Sequence, residues 1–216
     1  MIAIEPRDQV AVLRFVHEQN LFDREFVSAA SRALDDIESS DAVALVTTGD
    51  AKFYTNGFDL PFLASLEPES LEQFVRESRA LLARVLTFPM PTVAAVNGHA
   101  FGIGAMLALA HDLRVMRRDR GWFCLPEIDL GLRFHPFMAA LITTKLSEAA
   151  ASEAVLTGRR YTGAEAVDAG IAHKSADEPD VLDVAVAMAV ARAGKARDVT
   201  MGLKQDLYRA ALASLG

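Results

Sequence analysis

Two short apolar runs rich in β-branched residues, Ile2–Ile4 and Val10–Phe15, flank the polar tetrad Pro6-Arg7-Asp8-Gln9, and this arrangement predicts a β-hairpin. Asp23 then offers an N-cap to a helix whose apolar positions Phe26, Val27, Ala30, Leu34 and Ile37 recur at helical spacing until Glu38-Ser39-Ser40-Asp41. Val43–Thr47 is apolar without alternation, which is how a strand covered on both faces reads. After a loop over residues 49–60, Pro68 to Phe88 predicts a second helix with Leu71, Phe74, Val75, Ser78, Leu82 and Val85 on one face, ended by Pro89. The theme then repeats. Thr92–Val96 predicts a buried strand, Asn97–Gly104 a glycine-rich turn, Gly102 to Gly104 the opening of an apolar helix, and Leu113–Met116 another strand, before a loop that presents Glu127.

From Phe137 onward the periodicity is helical, with candidate helices at Phe137–Lys145, Glu148–Leu156, Ala164–Ala169, Val181–Ala193 and Asp198–Leu215. Thr162-Gly163-Ala164-Glu165 is a capping box, Gly170 is its matching stop, and Ile171–Lys174 predicts a last short strand. The resulting fold class is α/β, with residues 1–160 as a core and 161–216 as a C-terminal helical region, part of the same domain or a small appendage to it.

Composition narrows the functional class. At 216 residues, 51% apolar and 24% charged, the chain fits one soluble domain able to bury about 70% of its unfolded surface. The apolar runs are interrupted before the roughly 20 residues a bilayer requires, so no membrane span is expected, and the acidic start of the chain predicts no secretory leader. A net charge of −7 argues against a nucleic-acid surface. Cys124 stands alone, which excludes an internal disulfide and agrees with a reducing, cytoplasmic setting.

The glycines of Gly98-His99-Ala100-Phe101-Gly102-Ile103-Gly104 match neither nucleotide fingerprint, and no nucleophile elbow is present. The five histidines have no metal-ligand spacing, so no metal is expected. What remains is backbone chemistry. Amides at a helix start lack acceptors within the helix and suit a developing oxyanion, and Asn56-Gly57 can take positive φ and turn the Phe58 amide out of any ladder. Glu127 lies among Trp122-Phe123-Cys124-Leu125-Pro126 and Ile128, where burial would raise its pKa toward that of a general base.

Four blocks carry a family resemblance: Lys52-Phe53-x-x-Asn56-Gly57-Phe58-Asp59-Leu60; Ala94-Ala95-Val96-Asn97-Gly98-His99-Ala100-Phe101-Gly102-Ile103-Gly104-Ala105-Met106; Pro126-Glu127-Ile128-x-x-Gly131; and Leu156-Thr157-Gly158-Arg159-Arg160-Tyr161-x-x-x-Glu165. In this order they resemble the crotonase superfamily of enoyl-CoA hydratases and isomerases. The resemblance implies a spiral of ββα units with a C-terminal helical region that mediates trimerisation, as a homotrimer or a dimer of trimers. It implies an acyl-coenzyme A thioester as substrate, held without a metal or further cofactor by the amides of Phe58 and Ile103, with Lys52, Phe53, Asn56, Gly57, Asp59, Leu60, Gly102, Met106 and Phe134 around it.

One departure directs the choice of reaction. Family hydratases carry a first glutamate where this chain has Met106, and a thioether neither accepts a proton nor orients water strongly. The resemblance then implies a Δ3,Δ2-enoyl-CoA isomerase working through Glu127 alone, with Asp129 read as a solvated or capping carboxylate. Hydration, thioester hydrolysis or decarboxylation at the same oxyanion site, and non-catalytic acyl-CoA binding, are the alternatives.

Overall fold

The structure, a computed structural model, describes residues 2–50 and 52–216. The hairpin is formed by β1 (Ile2–Arg7) and β2 (Val10–Phe15), followed by α1 (Arg24–Glu38), where Asp23 accepts from the Phe26 amide at 2.7 Å as the expected cap. Three units of one plan follow. The first is β3 (Ala44–Gly49), β4 (Phe53–Thr55), a short α2 (Leu60–Ala64) and α3 (Pro68–Leu86). The second is β5 (Thr92–Val96), β6 (His99–Phe101) and α4 (Ile103–Ala110). The third is β7 (Leu113–Arg117), β8 (Phe123–Cys124), a 3-10 turn at Pro126–Ile128, and α5 (Pro136–Lys145).

Each unit sends its first strand to one sheet and its second to another. The large sheet has the order β1-β2-β3-β5-β7-β9, antiparallel only at the hairpin, and the small sheet is β4-β6-β8, all parallel. This is a ββα spiral. The central strands of the large sheet are buried on both faces, which explains why Val43–Thr47 reads as uninterrupted. Leu13, Leu45, Ala94 and Met116 face the main core with α1, α3 and α4, while Val12, Val46, Ala95 and Val115 face α8 (Asp180–Val190). Gly104 is where α4 lies against β4, for a methyl group there would sit 2.7 Å from the Thr55 carbonyl oxygen.

The C-terminal part comprises α6 (Glu148–Thr157), α7 (Gly163–Asp168), β9 (Lys174–Ala176), α8, α9 (Arg197–Leu207) and α10 (Arg209–Leu212). Two sequence expectations are corrected here. The last strand begins at Lys174 rather than Ile171, because Ile171 is a buried turn residue whose carbonyl accepts from Arg114 Nε at 2.5 Å. The expected single helix over 198–215 breaks at Tyr208, whose hydroxyl accepts from Lys145 Nζ at 2.8 Å beneath a cation–π contact of 4.4 Å. Tertiary contacts outweigh helical periodicity at that point. Among the described residues, no helix is long and apolar enough to cross a membrane.

Candidate active site

The site forms where the second strands of the spiral meet their helices. Asn20, in the loop between β2 and α1, adopts φ +49°, a conformation asparagine tolerates, and its side chain donates to the carbonyls of Phe53 (3.1 Å) and Tyr54 (3.2 Å). The following loop is thereby tied to β4. Phe22 N donates to Gly57 O at 2.8 Å and Asp59 N to Phe22 O at 3.1 Å, so Phe58 is bridged in parallel to Phe22 with its own N–H turned the other way. Gly57 makes this course possible with φ +88°; a methyl group on it would lie 2.8 Å from Phe101 O and 4.0 Å from Ile103 N.

Ile103 is the first residue of α4, so its amide has no acceptor within the helix. Gly102 precedes it with φ +53°, donates to Cys124 O at 3.1 Å and accepts from Met106 N at 3.0 Å. Neither the Phe58 nor the Ile103 N–H is bonded to another backbone carbonyl among the described residues. Two unpaired amides therefore adjoin across Gly57.

Glu127 enters from the 3-10 turn. A methyl group at Gly102 would lie 3.5 Å from its Oε1, so the carboxyl stands beside the residue that leads into the Ile103 amide. The turn is closed by Asp129 N to Pro126 O (3.0 Å) and Leu132 N to Glu127 O (2.9 Å). Glu127 Oε2 is buried without a hydrogen-bond partner, and burial pushes its pKa up to about 7. An unpaired buried carboxyl poised near neutrality has the properties of a general base.

Beside these groups lies a cleft of about 620 Å³ lined by Gln19, Leu21, Asn56, Phe58, Asp59, Leu60, Pro61, Phe101, Cys124, Pro126 and Arg160. Asn56 and Asp59 are partly committed within the wall: Asn56 Nδ2 donates to Gln19 Oε1 at 2.8 Å, and Asp59 caps α2 by accepting from Phe62 N at 3.0 Å. Burial pushes the Cys124 thiol up to about 11, and its Sγ donates to Gly158 O at 3.3 Å.

Four of the residues expected around the substrate lie elsewhere. Met106 is only 1% exposed and packs in the main core. Phe134 lines a separate apolar cleft between α5 and α6. Lys52 lines a third cleft beside His99, and Phe53 stacks on the His99 ring at 5.2 Å. Met106 and Phe53 lie on a helix and a strand, whose successive side chains turn to different faces, whereas Lys52 lies in a turn and Phe134 in a loop, where no period fixes the direction. Conversely, Gln19, Leu21, Pro61, Phe101, Cys124 and Arg160 line the cleft without having been singled out for it. Only Asn20, as a residue suited to positive φ, marks the Gln19 loop in the sequence.

His111, which follows α4, is fully buried, with Nε2 2.9 Å from Thr47 Oγ1 and Nδ1 2.8 Å from Leu107 O. Burial pushes its pKa down to about 3, so it is a neutral core residue. Among the described residues, no three His, Cys, Asp or Glu side chains gather to hold a metal ion.

The family model for enoyl-CoA hydratase/isomerase matches residues 5–215. The chain belongs to this family, within the crotonase superfamily. Enoyl-CoA delta isomerase 3 of Arabidopsis thaliana is 34% identical over 96% of this chain and 92% of its own length. Enoyl-CoA delta isomerase 2, peroxisomal, of the same plant is 35% identical over 79% of this chain and 75% of its own. Human mitochondrial delta3-delta2-enoyl-CoA isomerase shares the fold at a TM-score of 0.91 and 23% identity, covering 98% of this chain and 84% of the human one. The crotonase fold expected from the sequence is the one found, and the chain is an acyl-CoA-processing enzyme of that family.

Proposed function

We propose that this crotonase is a Δ3,Δ2-enoyl-CoA isomerase with Glu127 as its single catalytic acid–base. The thioester oxygen of a 3-enoyl-CoA accepts hydrogen bonds from the Phe58 and Ile103 amides. Glu127 removes a proton from C2, the resulting dienolate is held by the same two donors, and the proton returns to C4 as the double bond moves to C2–C3. No water is consumed, and no cofactor is needed beyond the coenzyme A carried by the substrate. The observation that carries this reading is the unpaired carboxyl of Glu127, raised to about 7, beside Gly102, with Met106 where hydration would call for a second carboxylate.

The test is incubation with a 3-enoyl-CoA and, separately, a 2-enoyl-CoA, following conjugation by ultraviolet absorbance and water incorporation by mass. Conjugation without mass gain is expected, and Glu127→Gln should lower turnover by about 10²–10⁴. Unchanged turnover in that variant, or water addition as the main outcome, overturns the assignment.

The reading extends to assembly and setting. Val199, Leu203 and Leu207 stand exposed at helical spacing on α9, an apolar stripe that supports a homotrimer or a dimer of trimers joined through the C-terminal helices. Light scattering at three or six times the 23.4 kDa protomer tests this. The lone buried Cys124 supports a reducing, cytoplasmic setting, although two of the relatives are peroxisomal by name.

A further inference from the structure

Beneath the C-terminal helices lies a cluster of charged groups that the proposed reaction does not use. Arg114 of β7 is 4% exposed and gives its guanidinium to carbonyls, Nε to Ile171 O at 2.5 Å and Nη1 to His111 O at 3.2 Å. Lys204 of α9 donates to Asp112 Oδ2 at 2.6 Å and to Met90 O at 2.9 Å. Lys145, at the end of α5, donates to His111 O at 3.1 Å and to the Tyr208 hydroxyl at 2.8 Å. Among the described residues Lys145 forms no ion pair.

Arg114, Lys145 and Lys204 thus share the carboxylate of Asp112, which is already committed to Lys204 and to the Thr92 amide at 2.8 Å. The other titratable neighbours add no negative charge. Burial pushes the Tyr208 hydroxyl up, and it pushes the imidazoles of His111 and His173 down to about 3 and about 4. An ammonium held among like charges without a carboxylate of its own is destabilised. Burial first, then Arg114 and Lys204, opposed only in part by Asp112, push the Lys145 pKa down to about 7. A neutral amine also fits the geometry. It has two N–H donors for the two acceptors it meets and a lone pair left over, whereas an ammonium has a third donor to satisfy.

Lys145 is half-buried rather than sealed. Thr143, Thr144 and Ser147 beside it are exposed, and Tyr208 over it sits at the break between α9 and α10, with Leu207 and Arg209 exposed on either side. We propose that Lys145 is a site of acylation by acyl-CoA thioesters, the substrate class of this family, in a reaction that needs neither Glu127 nor the isomerase reading. The amine nitrogen attacks the thioester carbonyl carbon, the C–S bond breaks as the C–N bond forms, and coenzyme A leaves as a thiol carrying the proton lost from nitrogen. The product is an amide with a single N–H, so it cannot supply both His111 O and the Tyr208 hydroxyl, and its acyl group displaces the Tyr208 ring. Acylation therefore loosens α10 from α5. A lasting excess of acyl-CoA is thereby registered at the C-terminal helices.

The test incubates the full chain with butyryl-CoA, which has no double bond to move, and follows butyrylation of Lys145 by peptide mass spectrometry beside that of the exposed Lys174 and Lys195. At about pH 7.5 Lys145 should be modified about tenfold or more faster, because an amine of ordinary pKa is almost wholly protonated there. Its rate should level off above about pH 8 while the rates at Lys174 and Lys195 keep rising to about pH 9. Modification of Lys145 no faster than theirs at about pH 7.5, or a rate that climbs with theirs, overturns the proposal. Glu127→Gln should be acylated at an unchanged rate, and loss of acylation in that variant overturns the site's independence from the active site. Amide exchange over residues 208–216 should rise about tenfold in the butyrylated protein, and unchanged exchange overturns the loosening of α10. Since butyryl-CoA is not a substrate for isomerisation, none of these outcomes depends on conversion of a 3-enoyl-CoA.

Discussion

The large sheet has six strands and cover on both faces, whereas the small sheet has three strands of two or three residues and sends Phe101 and Cys124 into the substrate cleft. Both grow from the same three ββα units, yet they divide the labour. In the large sheet, polar groups are satisfied internally, as with His111 and Thr47 at 2.9 Å. Around the small sheet, two amides, a carboxyl oxygen and an imidazole nitrogen have no hydrogen-bond partner among the described residues. Unsatisfied buried polar groups cost stability, so their concentration around the small sheet marks where the fold trades stability for a ligand. The wide sheet, with its central strands buried, supplies the stability that makes this tolerable.

If that division holds, substitutions on the two sheets should affect different measurements. The largest effect on turnover after loss of Glu127 is expected from Ile103→Pro. Proline suits the first position of a helix and removes the candidate donor, so kcat should fall by about 10²–10³ while far-ultraviolet circular dichroism remains native. Retention of full kcat would remove Ile103 from the oxyanion hole. Leu45→Ala, fully buried in β3, should do the opposite, lowering stability by about 2–5 kcal/mol in chemical denaturation with kcat little changed.

The third effect concerns pH. A carboxyl whose folded pKa is about 7, above its ordinary value of 4.5, favours folding when protonated. That contribution is complete below about pH 4.5 and disappears as pH rises through 7, while the ionised base needed for turnover appears over the upper part of this range. The rate should therefore rise with a midpoint near 7, and Glu127→Gln should be the more stable protein at pH 8, by roughly 1–3 kcal/mol. A rate independent of pH between 5 and 9 would contradict the assignment. The smallest effect is expected of Met106→Glu, which should gain only weak hydration of a 2-enoyl-CoA, because a carboxylate in that core position meets a desolvation penalty.

The legibility of the chain follows the same contrast. The central strands β3 and β5 were readable because each is a largely apolar run, and α1 and α3 because their burial stripes recur at 3.6 residues, whereas β9, Lys174-Ser175-Ala176, has no such run and was expected three residues too early. Strands β4, β6 and β8 are too short to carry a period; they exist because they lie beside one another, with His99 paired to Phe53 and Ala100 to Phe123. Their side-chain directions were unreadable for the same reason. Hence Lys52 and Phe53, expected around the acyl-CoA, do not line the substrate cleft: Lys52 lines the cleft beside His99 and Phe53 stacks on the His99 ring, while Arg160, in the segment between α6 and α7, lines the substrate cleft and lies over Trp122.

Local patterning determined on its own the central strands of the large sheet and the helices α1 and α3, that a glycine turn opens α4 between Gly102 and Gly104, and that Glu127 has apolar neighbours in sequence, since each of these depends on residues a few positions apart. Packing across the spiral decided the rest. The approach of Gly57 to the Ile103 amide, the stance of Glu127 beside Gly102, and the face to which each small-sheet residue points join positions 23 to 46 apart in the chain, and no short-range period encodes which of them meet.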